Sequence, residues 1–332
     1  MDNNRYRPIP RQKEEKEKSG LCLFEWAILV YTAFTLVLMA LWWNQLVNPV
    51  PMLLGRAGAV AATVCLWLVY RRWPSRWTMV LRVVAPLCML GWWYPDTYEL
   101  NRFALNLDHV FAGIEQQCFG CQPALVLSRD YSSPVISELL CLGYFSYFPM
   151  IAALTFWYFL KRYERLAYAA FVVLGSFFLF YVIFIFLPVA GPQFYYAAVG
   201  TDQIAQGVFP DIGHYFLDHQ ASLPIPGAEG GLFHHLVQFT HNAGERPTAA
   251  FPSSHVGISV VLLWLAWESR SKWLFTPLLV LTVLMFFATF YIQAHYAIDA
   301  IAGLFVGTLM YFLLKKVYWK AMSHCLQTIK LS

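Results

Sequence analysis

The sequence is dominated by apolar runs of about 20 residues, each bounded by a short polar stretch. Runs of this length matter because about 20 apolar residues in a helix cross the hydrocarbon layer of a membrane. Only 13% of the 332 residues are charged, whereas soluble domains carry about 25%. The pattern predicts an all-α, polytopic membrane bundle, and the net charge of +4 is too small to indicate a nucleic-acid partner.

Eight membrane helices are predicted, and Lys and Arg alternate between their connections. The predicted helices are 22–43, 51–70, 77–94, 137–160, 167–188, 253–269, 273–292 and 295–314. The connections rich in Lys and Arg are the tail 1–20, the turns 71–76, 161–166 and 270–272, and the C-terminus. The poor connections are 44–50, 95–136, 189–252 and 293–294. Because Lys and Arg favour cytoplasmic loops, both termini are predicted to be cytoplasmic and the poor segments periplasmic or lumenal.

Several segments outside the apolar runs, and two arginines within them, carry their own predictions. The tail 1–20 is polar and of mixed charge, which predicts disorder. Arg56 and Arg82 lie near helix ends and are expected to snorkel to the membrane interface. Segment 95–136 mixes acidic and apolar residues, which predicts a helix on the membrane surface. Segment 189–252 is long and rich in aromatic residues and predicts a folded, functional cap. Within 95–136, the Cys118 and Cys121 pair is compatible with a disulfide and equally with two separate thiols.

Residues 245–255 interrupt the apolar pattern just before a predicted membrane helix. Ser253 is placed to cap that helix, whose first N–H groups have no partner within the helix and can bind an anion. Arg246 would add a planar cation suited to phosphate oxygens, with Ser254 and His255 beside the bound anion. By itself the stretch is also compatible with an ordinary Ser-capped helix that carries an interfacial histidine.

His295 and Asp299 form a second polar interruption and lie four residues apart, which places them on one face of a helix. A carboxylate can hold one ring nitrogen of a histidine and leave the other free to attack as a nucleophile. A pair that only pins helix packing is the alternative. Gly303 and Gly307 follow with the spacing of residues that allow close helix packing. Since both polar stretches lie at the same predicted membrane face, they are expected to converge into one phosphoester-binding site.

These residues resemble the signature of the phosphatidic acid phosphatase type 2 superfamily of membrane phosphoesterases. Its three blocks are Lys-x6-Arg-Pro, Pro-Ser-x-His and Ser-Arg-x5-His-x3-Asp. Arg246-Pro247 matches the end of the first block, residues 252–255 match the second, and His295 with Asp299 matches the end of the third.

The resemblance implies a six-helix catalytic core over 77–320, with 21–76 as two additional helices. It implies that His295 forms a phosphohistidine, that Asp299 orients it and that His255 acts as the acid. It also implies that no metal or other cofactor is needed. Two histidines that begin in opposite protonation states would give a bell-shaped pH profile.

The departures from the signature concern the phosphate-binding cations. Phe239 stands where the family has Lys, and Ala288 and Thr289 stand where it has Ser and Arg. Arg246 alone would suit a singly charged phosphodiester better than a phosphomonoester, which is close to a dianion at neutral pH. The same departures are found in the inositol phosphorylceramide synthases and their bacterial relatives, which this sequence resembles. Residues 187–192 also resemble the proline-rich turn of those enzymes.

The favoured hypothesis is therefore a transferase that moves an inositol phosphate-like head group from a glycerophospholipid to a lipid alcohol. A lipid phosphate phosphatase that uses water is the first alternative, and a non-catalytic lipid-binding or transport protein is the second. The remaining histidines of the long outer segment match no metal-ligand spacing and are expected to contact the membrane interface or substrate hydroxyls; they are His214, His219, His234, His235 and His241.

Overall fold

The computed structural model describes residues 20–227 and 230–331, so the tail predicted at 1–20 lies outside the described residues except for Gly20. The described part contains fourteen α-helices and no strand, which confirms the all-α prediction. The helices are α1 (Leu23–Trp42), α2 (Pro49–Arg72), α3 (Arg76–Asn101), α4 (Asp108–Phe119), α5 (Pro123–Asp130), α6 (Pro134–Phe145), α7 (Tyr147–Lys161), α8 (Leu166–Phe186), α9 (Pro192–Val199), α10 (Thr201–Ala205), α11 (Leu232–Gly244), α12 (Ser254–Glu268), α13 (Lys272–Tyr291) and α14 (Ala297–Leu331).

Membrane insertion is supported by five helices of the described part that are long and apolar enough to cross a bilayer. They correspond to α1, α2, α8, α13 and most of α14. Helices α6 and α7 meet at a bend of 47° and together would make a sixth crossing. The remaining two predicted spans fall on α3 and on α12, which has 15 residues. The chain is an integral membrane protein.

Arg56 and Arg82 correct the expectation of snorkelling, because both guanidinium groups are buried. Arg82 pairs with Glu25 at 2.5 Å, and Arg56 forms two hydrogen bonds, of 2.6 and 2.9 Å, with the Asp96 carboxylate. A buried charge is tolerated only when it is paired and hydrogen-bonded. The two ion pairs therefore join the N-terminal helices α1 and α2 to α3.

The acidic residues of segment 95–136 do not form the exposed polar face that was expected of a helix on the membrane surface. Asp108 and Glu115 lie on one face of α4 and are completely buried. They face the protein because backbone N–H groups of neighbouring loops bind their carboxylates. Cys118 and Cys121, at the end of α4, are separate thiols.

Close packing of α12 against α14 brings the two polar stretches together. A Cβ atom at Gly303 would lie 2.5 Å from the Ser253 carbonyl oxygen, and one at Gly307 would collide with Gly257. Only glycine lets the two backbones approach this closely, so the predicted packing role of Gly303 and Gly307 is confirmed. This contact places the start of α12 beside the start of α14.

Candidate active site

Two imidazoles that lie forty residues apart in the sequence are in direct contact. The Nε2 atom of His295 lies 3.3 Å from the Nδ1 atom of His255, and the ring centroids are 5.5 Å apart. His255 belongs to the first turn of α12, and His295 lies in the short loop between α13 and α14. The two predicted histidines therefore share one site.

The tautomer of His295 is set by a backbone carbonyl. Its Nδ1 atom lies 2.7 Å from the Ala250 oxygen, which can only accept a hydrogen bond, so Nδ1 must carry the proton. In the neutral ring, Nε2 then carries no proton and accepts from the Nδ1–H group of His255. Nε2 is therefore the atom of His295 that is able to attack an electrophile once this hydrogen bond is broken.

Asp299 has a different contact from the one expected. Its carboxylate lies 3.8 Å from Nδ1 of His295, too far for a hydrogen bond, and accepts instead from the Tyr296 N–H at 2.8 Å. The Asp299 carbonyl oxygen accepts from the Ser253 N–H at 3.0 Å. Asp299 thus fixes the loop that carries His295 and ties it to the cap of α12, while Ala250 orients the ring.

Burial keeps His295 neutral. Loss of water lowers the pKa of His295 to about 4, and the Ala250 carbonyl and the Glu245 charge oppose this shift only in part. At neutral pH the ring is uncharged and its Nε2 lone pair is available. A nucleophilic histidine requires this protonation state.

Tyrosine rings hold His255 in place. The centroids of Tyr144 and Tyr147 lie 4.5 and 4.4 Å from that of His255, and the Tyr144 ring is nearly parallel to it. Aromatic stacking of this kind restricts the imidazole without occupying its ring nitrogens as hydrogen-bond partners. Neither tyrosine was singled out from the sequence, because both come from the α6–α7 bend, more than a hundred residues earlier.

The predicted anion cradle is only partly in place. The Ser253 hydroxyl caps α12 by accepting from the Val256 N–H at 3.4 Å, and Ser254 lines the pocket beside both histidines. Arg246 instead donates to the Glu245 carbonyl oxygen at 2.8 Å, and its side chain does not line that pocket. The helix N-terminus and Ser254 are therefore ready for an anion, whereas Arg246 would have to turn towards one.

A large cavity between the helices leads to His255. Its volume is about 880 Å³, and its walls come mainly from aliphatic and aromatic side chains of α3, α6, α7 and α8, such as Leu87, Ile151 and Phe177. A smaller pocket continues from it to His295. Tyr94, Tyr144, Glu245, Ser254 and His255 line both spaces. A cavity of this size and polarity suits the hydrocarbon part of a lipid.

Two buried carboxylates of α4 hold the loops around the site. Asp108 accepts from the N–H groups of Ala190 and Gly191 at 2.6 and 2.8 Å, and from the Tyr296 hydroxyl at 2.9 Å. Glu115 accepts from the Ala297 and Ile298 N–H groups at 3.0 Å each, at the start of α14. Both residues were missed as site residues, since nothing local in the sequence links them to loops up to 188 positions away.

Gly191 shows why one outer loop can approach the histidines. Its φ is +91°, and a Cβ atom there would lie 2.5 Å from the Ala294 carbonyl oxygen, next to His295. A side chain would therefore be both strained and obstructed at this position. The proline-rich turn at 187–192 thus packs directly on the His295 loop.

Of the five other outer histidines, His241 approaches the site most closely. Its ring centroid lies 5.7 Å from that of Tyr144, and burial lowers the pKa of His241. His234 is also buried, with Nε2 3.2 Å from the Ile225 carbonyl oxygen, and His219 stacks on Tyr215 at the exposed surface. The sequence grouped these histidines together, and only their packing separates them.

Comparison with known proteins places this geometry in a family. The family model described as the PAP2 superfamily matches residues 114–313, more than half of the chain, and the match includes Arg246, His255 and His295. It begins within α4 and leaves α1–α3 outside. Searches of curated proteins and of solved structures gave no match. With the histidine pair at the head of an apolar cavity and the family model covering α12, α13 and about the first half of α14, the chain belongs to the PAP2 superfamily, whose members are membrane phosphoesterases of the phosphatase and phosphotransferase type.

Proposed function

We propose that this protein is a membrane phosphotransferase that moves an inositol phosphate-like head group from a glycerophospholipid to a lipid alcohol through a phosphohistidine on His295. The observation that carries the proposal is the contact of Nε2 of His295 with His255 at the head of an apolar cavity of about 880 Å³. A nucleophile, a proton donor and a hydrocarbon-binding space are thereby adjacent.

In the first step, Nε2 of His295 forms a bond to phosphorus while the bond from phosphorus to the lipid oxygen breaks. His255 transfers a proton to that departing oxygen. In the second step, the acceptor alcohol gives its proton to His255, and its oxygen attacks phosphorus as the bond to Nε2 breaks. Both histidines return to their starting state, so no further reactant is required.

Substrate binding has to separate the two rings. In-line attack needs Nε2 about 3 Å from phosphorus, with the leaving oxygen on the far side and about 3 Å from its proton donor. The 3.3 Å between the ring nitrogens is roughly half of the span required. A phosphate anion between the rings would replace their hydrogen bond and favour a positive charge on His255, the form that an acid needs.

The phosphate oxygens would be held by Ser254, the first N–H groups of α12 capped by Ser253, and Arg246 after it turns inward. Such donors stabilise the charge that develops in the transition state. Asp299, which holds the His295 loop, completes the proposed set of site residues.

A phosphodiester is the better substrate because the site is poor in cations. The positions of the family's missing cations hold an exposed Phe239 and the buried Ala288 and Thr289. The two other basic residues of the outer segments are engaged elsewhere: Arg102 with Glu99 and the Leu217 carbonyl, and Arg129 with Asp130. One cation balances a diester but leaves a phosphomonoester dianion with excess negative charge. This favours head-group transfer over phosphate hydrolysis.

Product analysis tests the reaction. Purified protein in lipid vesicles is given a glycerophospholipid labelled in its polyol phosphate head group, with and without a long-chain lipid alcohol. Labelled acceptor lipid should form only when the alcohol is present. Release of labelled head-group phosphate at the same rate with or without the alcohol would contradict transfer and identify a hydrolase that uses water as the acceptor. Lipid binding or transport that survives in a His255→Ala/His295→Ala double variant would instead support a non-catalytic protein.

We also propose that both termini are cytoplasmic and that the site faces the periplasm or lumen, since Lys and Arg are concentrated in the alternate connections. In this arrangement the core 77–320 carries the catalysis, and 21–76 forms two added helices. Cys118 is exposed in an outer segment. A membrane-impermeant thiol reagent should label it from the non-cytoplasmic side, and a Cys118→Ser/Cys121→Ser variant should lose that signal. Labelling of Cys118 in sealed vesicles by a reagent applied only to the cytoplasmic face would reverse the orientation.

A further inference from the structure

Glu245 stands at the junction between the lipid-sized cavity and the pocket of His295. It lines both spaces and is half-buried. It directly precedes the Arg246-Pro247 motif, yet its side chain faces the site, whereas the Arg246 side chain does not line the pocket. An incoming phosphate therefore meets a carboxylate at the entrance to the histidine pair.

Two tyrosine hydroxyls fix the Glu245 carboxylate. Tyr94 donates to one oxygen at 2.8 Å, and Tyr144 donates to the other at 3.3 Å. Tyr144 is also the ring that stacks on His255, so the carboxylate and the proposed acid are held by the same side chain. The carboxylate is thus a fixed part of the site.

The negative charge of Glu245 is not neutralised by a neighbouring cation. Within the described part of the chain, no Lys, Arg or His nitrogen lies within 4.0 Å of its carboxylate, and Arg246 contacts only the Glu245 backbone. Repulsion between like charges grows with the charge of the ligand and is strong in a partly buried site. The second negative charge of a phosphomonoester would therefore be opposed, while a phosphodiester carries only one.

The carboxylate also retains hydrogen-bonding capacity. An ionised carboxylate has about four acceptor sites, and the two tyrosines use one on each oxygen. The free sites lie beside the position of the phosphate. They can accept from hydroxyl groups of a polyol attached to that phosphate, and a site built to bond hydroxyls discriminates strongly against groups that lack them.

Resting on the function proposed above, we propose that Glu245 is the specificity-determining residue of this site, which admits phosphodiesters with a hydroxyl-bearing head group and excludes phosphomonoesters. Two contributions combine in this role. Charge repulsion rejects the dianion, and hydrogen bonds from the head group to the free carboxylate positions select the polyol ester.

Substrate competition in a Glu245→Gln variant tests the proposal. Wild type and variant, purified and reconstituted in vesicles, are compared on phosphatidic acid, a polyol phosphodiester lipid and a methyl phosphodiester lipid, whose uncharged head group lacks hydrogen-bond donors. The variant should raise the ratio of kcat/KM for phosphatidic acid to that for the polyol lipid by about tenfold or more, the range expected from one nearby charge in a partly buried site. Its preference for the polyol lipid over the methyl lipid should shrink.

Matched variants separate charge from fold. Asp202→Asn removes one exposed carboxylate from the same outer segment and should leave both ratios unchanged. Glu245→Asp keeps the charge and should keep the exclusion of phosphatidic acid. If Glu245→Gln fails to fold, Tyr94→Phe takes its place, because it keeps the charge but removes one of the two hydroxyls that fix the carboxylate. It should reduce the preference for the polyol lipid and keep the exclusion of phosphatidic acid.

The outcomes distinguish the two levels of proposal. Unchanged ratios in a Glu245→Gln variant that still turns over a phosphodiester would overturn the role of Glu245 and leave the transferase in place. Absence of any phosphoester turnover by wild type would overturn the proposed function itself. If kcat/KM rises by a similar factor for both phosphodiesters and for phosphatidic acid, the variant has lost charge repulsion in general. That result would contradict the role of Glu245 in selecting hydroxyl-bearing head groups.

Discussion

Substitution of His295 by alanine should abolish turnover, with a loss on the order of 10⁴-fold or more, as expected when the nucleophile of a covalent mechanism is removed. In His295, the hydrogen bond from Nδ1 to the Ala250 carbonyl places the ring proton on Nδ1. Nε2 therefore carries no proton, and its lone pair is the nucleophile. No neighbouring group in the proposed scheme replaces that lone pair.

The measurement combines steady-state turnover with trapping of the phosphoenzyme. Wild type should yield an acid-labile, base-stable label from a phosphorus-labelled lipid, and His295→Ala should yield none. His219→Ala is the matched control, because His219 stacks on Tyr215 at the exposed surface and lies outside the site. A phosphoenzyme that persists in His295→Ala would move the nucleophile elsewhere and contradict the mechanism.

The pH dependence of label formation adds a second readout in the wild-type protein. The pKa of His295 is lowered from 6.5 to about 4 by burial. Because the folded-state value lies below the unfolded one, stability from the neutral ring is present above pH 6.5 and is lost as the pH falls towards 4. The nucleophile therefore stays available well below pH 6.5, and an acid limb of single-turnover labelling set by His295 should lie near pH 4.

Substitution of His255 by alanine should slow phosphoenzyme formation by about 10²–10⁴-fold, the usual contribution of a positioned general acid. The loss should be smaller than for His295, because His295 can still attack phosphorus. The lipid oxygen, however, would then depart without a proton and as a strongly basic alkoxide.

Leaving-group dependence isolates this role. A phosphodiester with a nitrophenol leaving group needs little protonation, so His255→Ala should form the phosphoenzyme from it at a rate much closer to that of wild type. Hydrolysis or transfer from the phosphoenzyme should stay slow, since the second step needs His255 as the base. An equal loss with both leaving groups would contradict the acid role and indicate that His255 only positions His295.

Much of the fold followed from the order of residues alone. Apolar runs of about 20 residues specify membrane helices because the backbone must satisfy its hydrogen bonds internally within lipid. Five of the predicted helices are present as long apolar helices within the described residues. The packing role of Gly303 and Gly307 was equally readable from their spacing, whereas only the structure identified α12 as the helix that packs against them.

The sequence by itself also singled out His255 and His295, since both lie in short motifs within apolar surroundings. Only the tertiary structure decided what surrounds them. The Ala250 carbonyl, rather than Asp299, binds Nδ1 of His295, and Tyr144 holds both His255 and the carboxylate of Glu245.

Asp108 and Glu115 show the physical reason for this division. An acidic residue between apolar ones predicts an exposed helix face when only its neighbours in sequence are considered. In the folded chain both carboxylates bind backbone N–H groups of loops that follow many residues later. Short motifs and helix formation depend on residues that are near one another in the sequence. Hydrogen bonds across the bundle depend instead on which loops the packed helices bring together. That arrangement is settled only when the whole chain has folded.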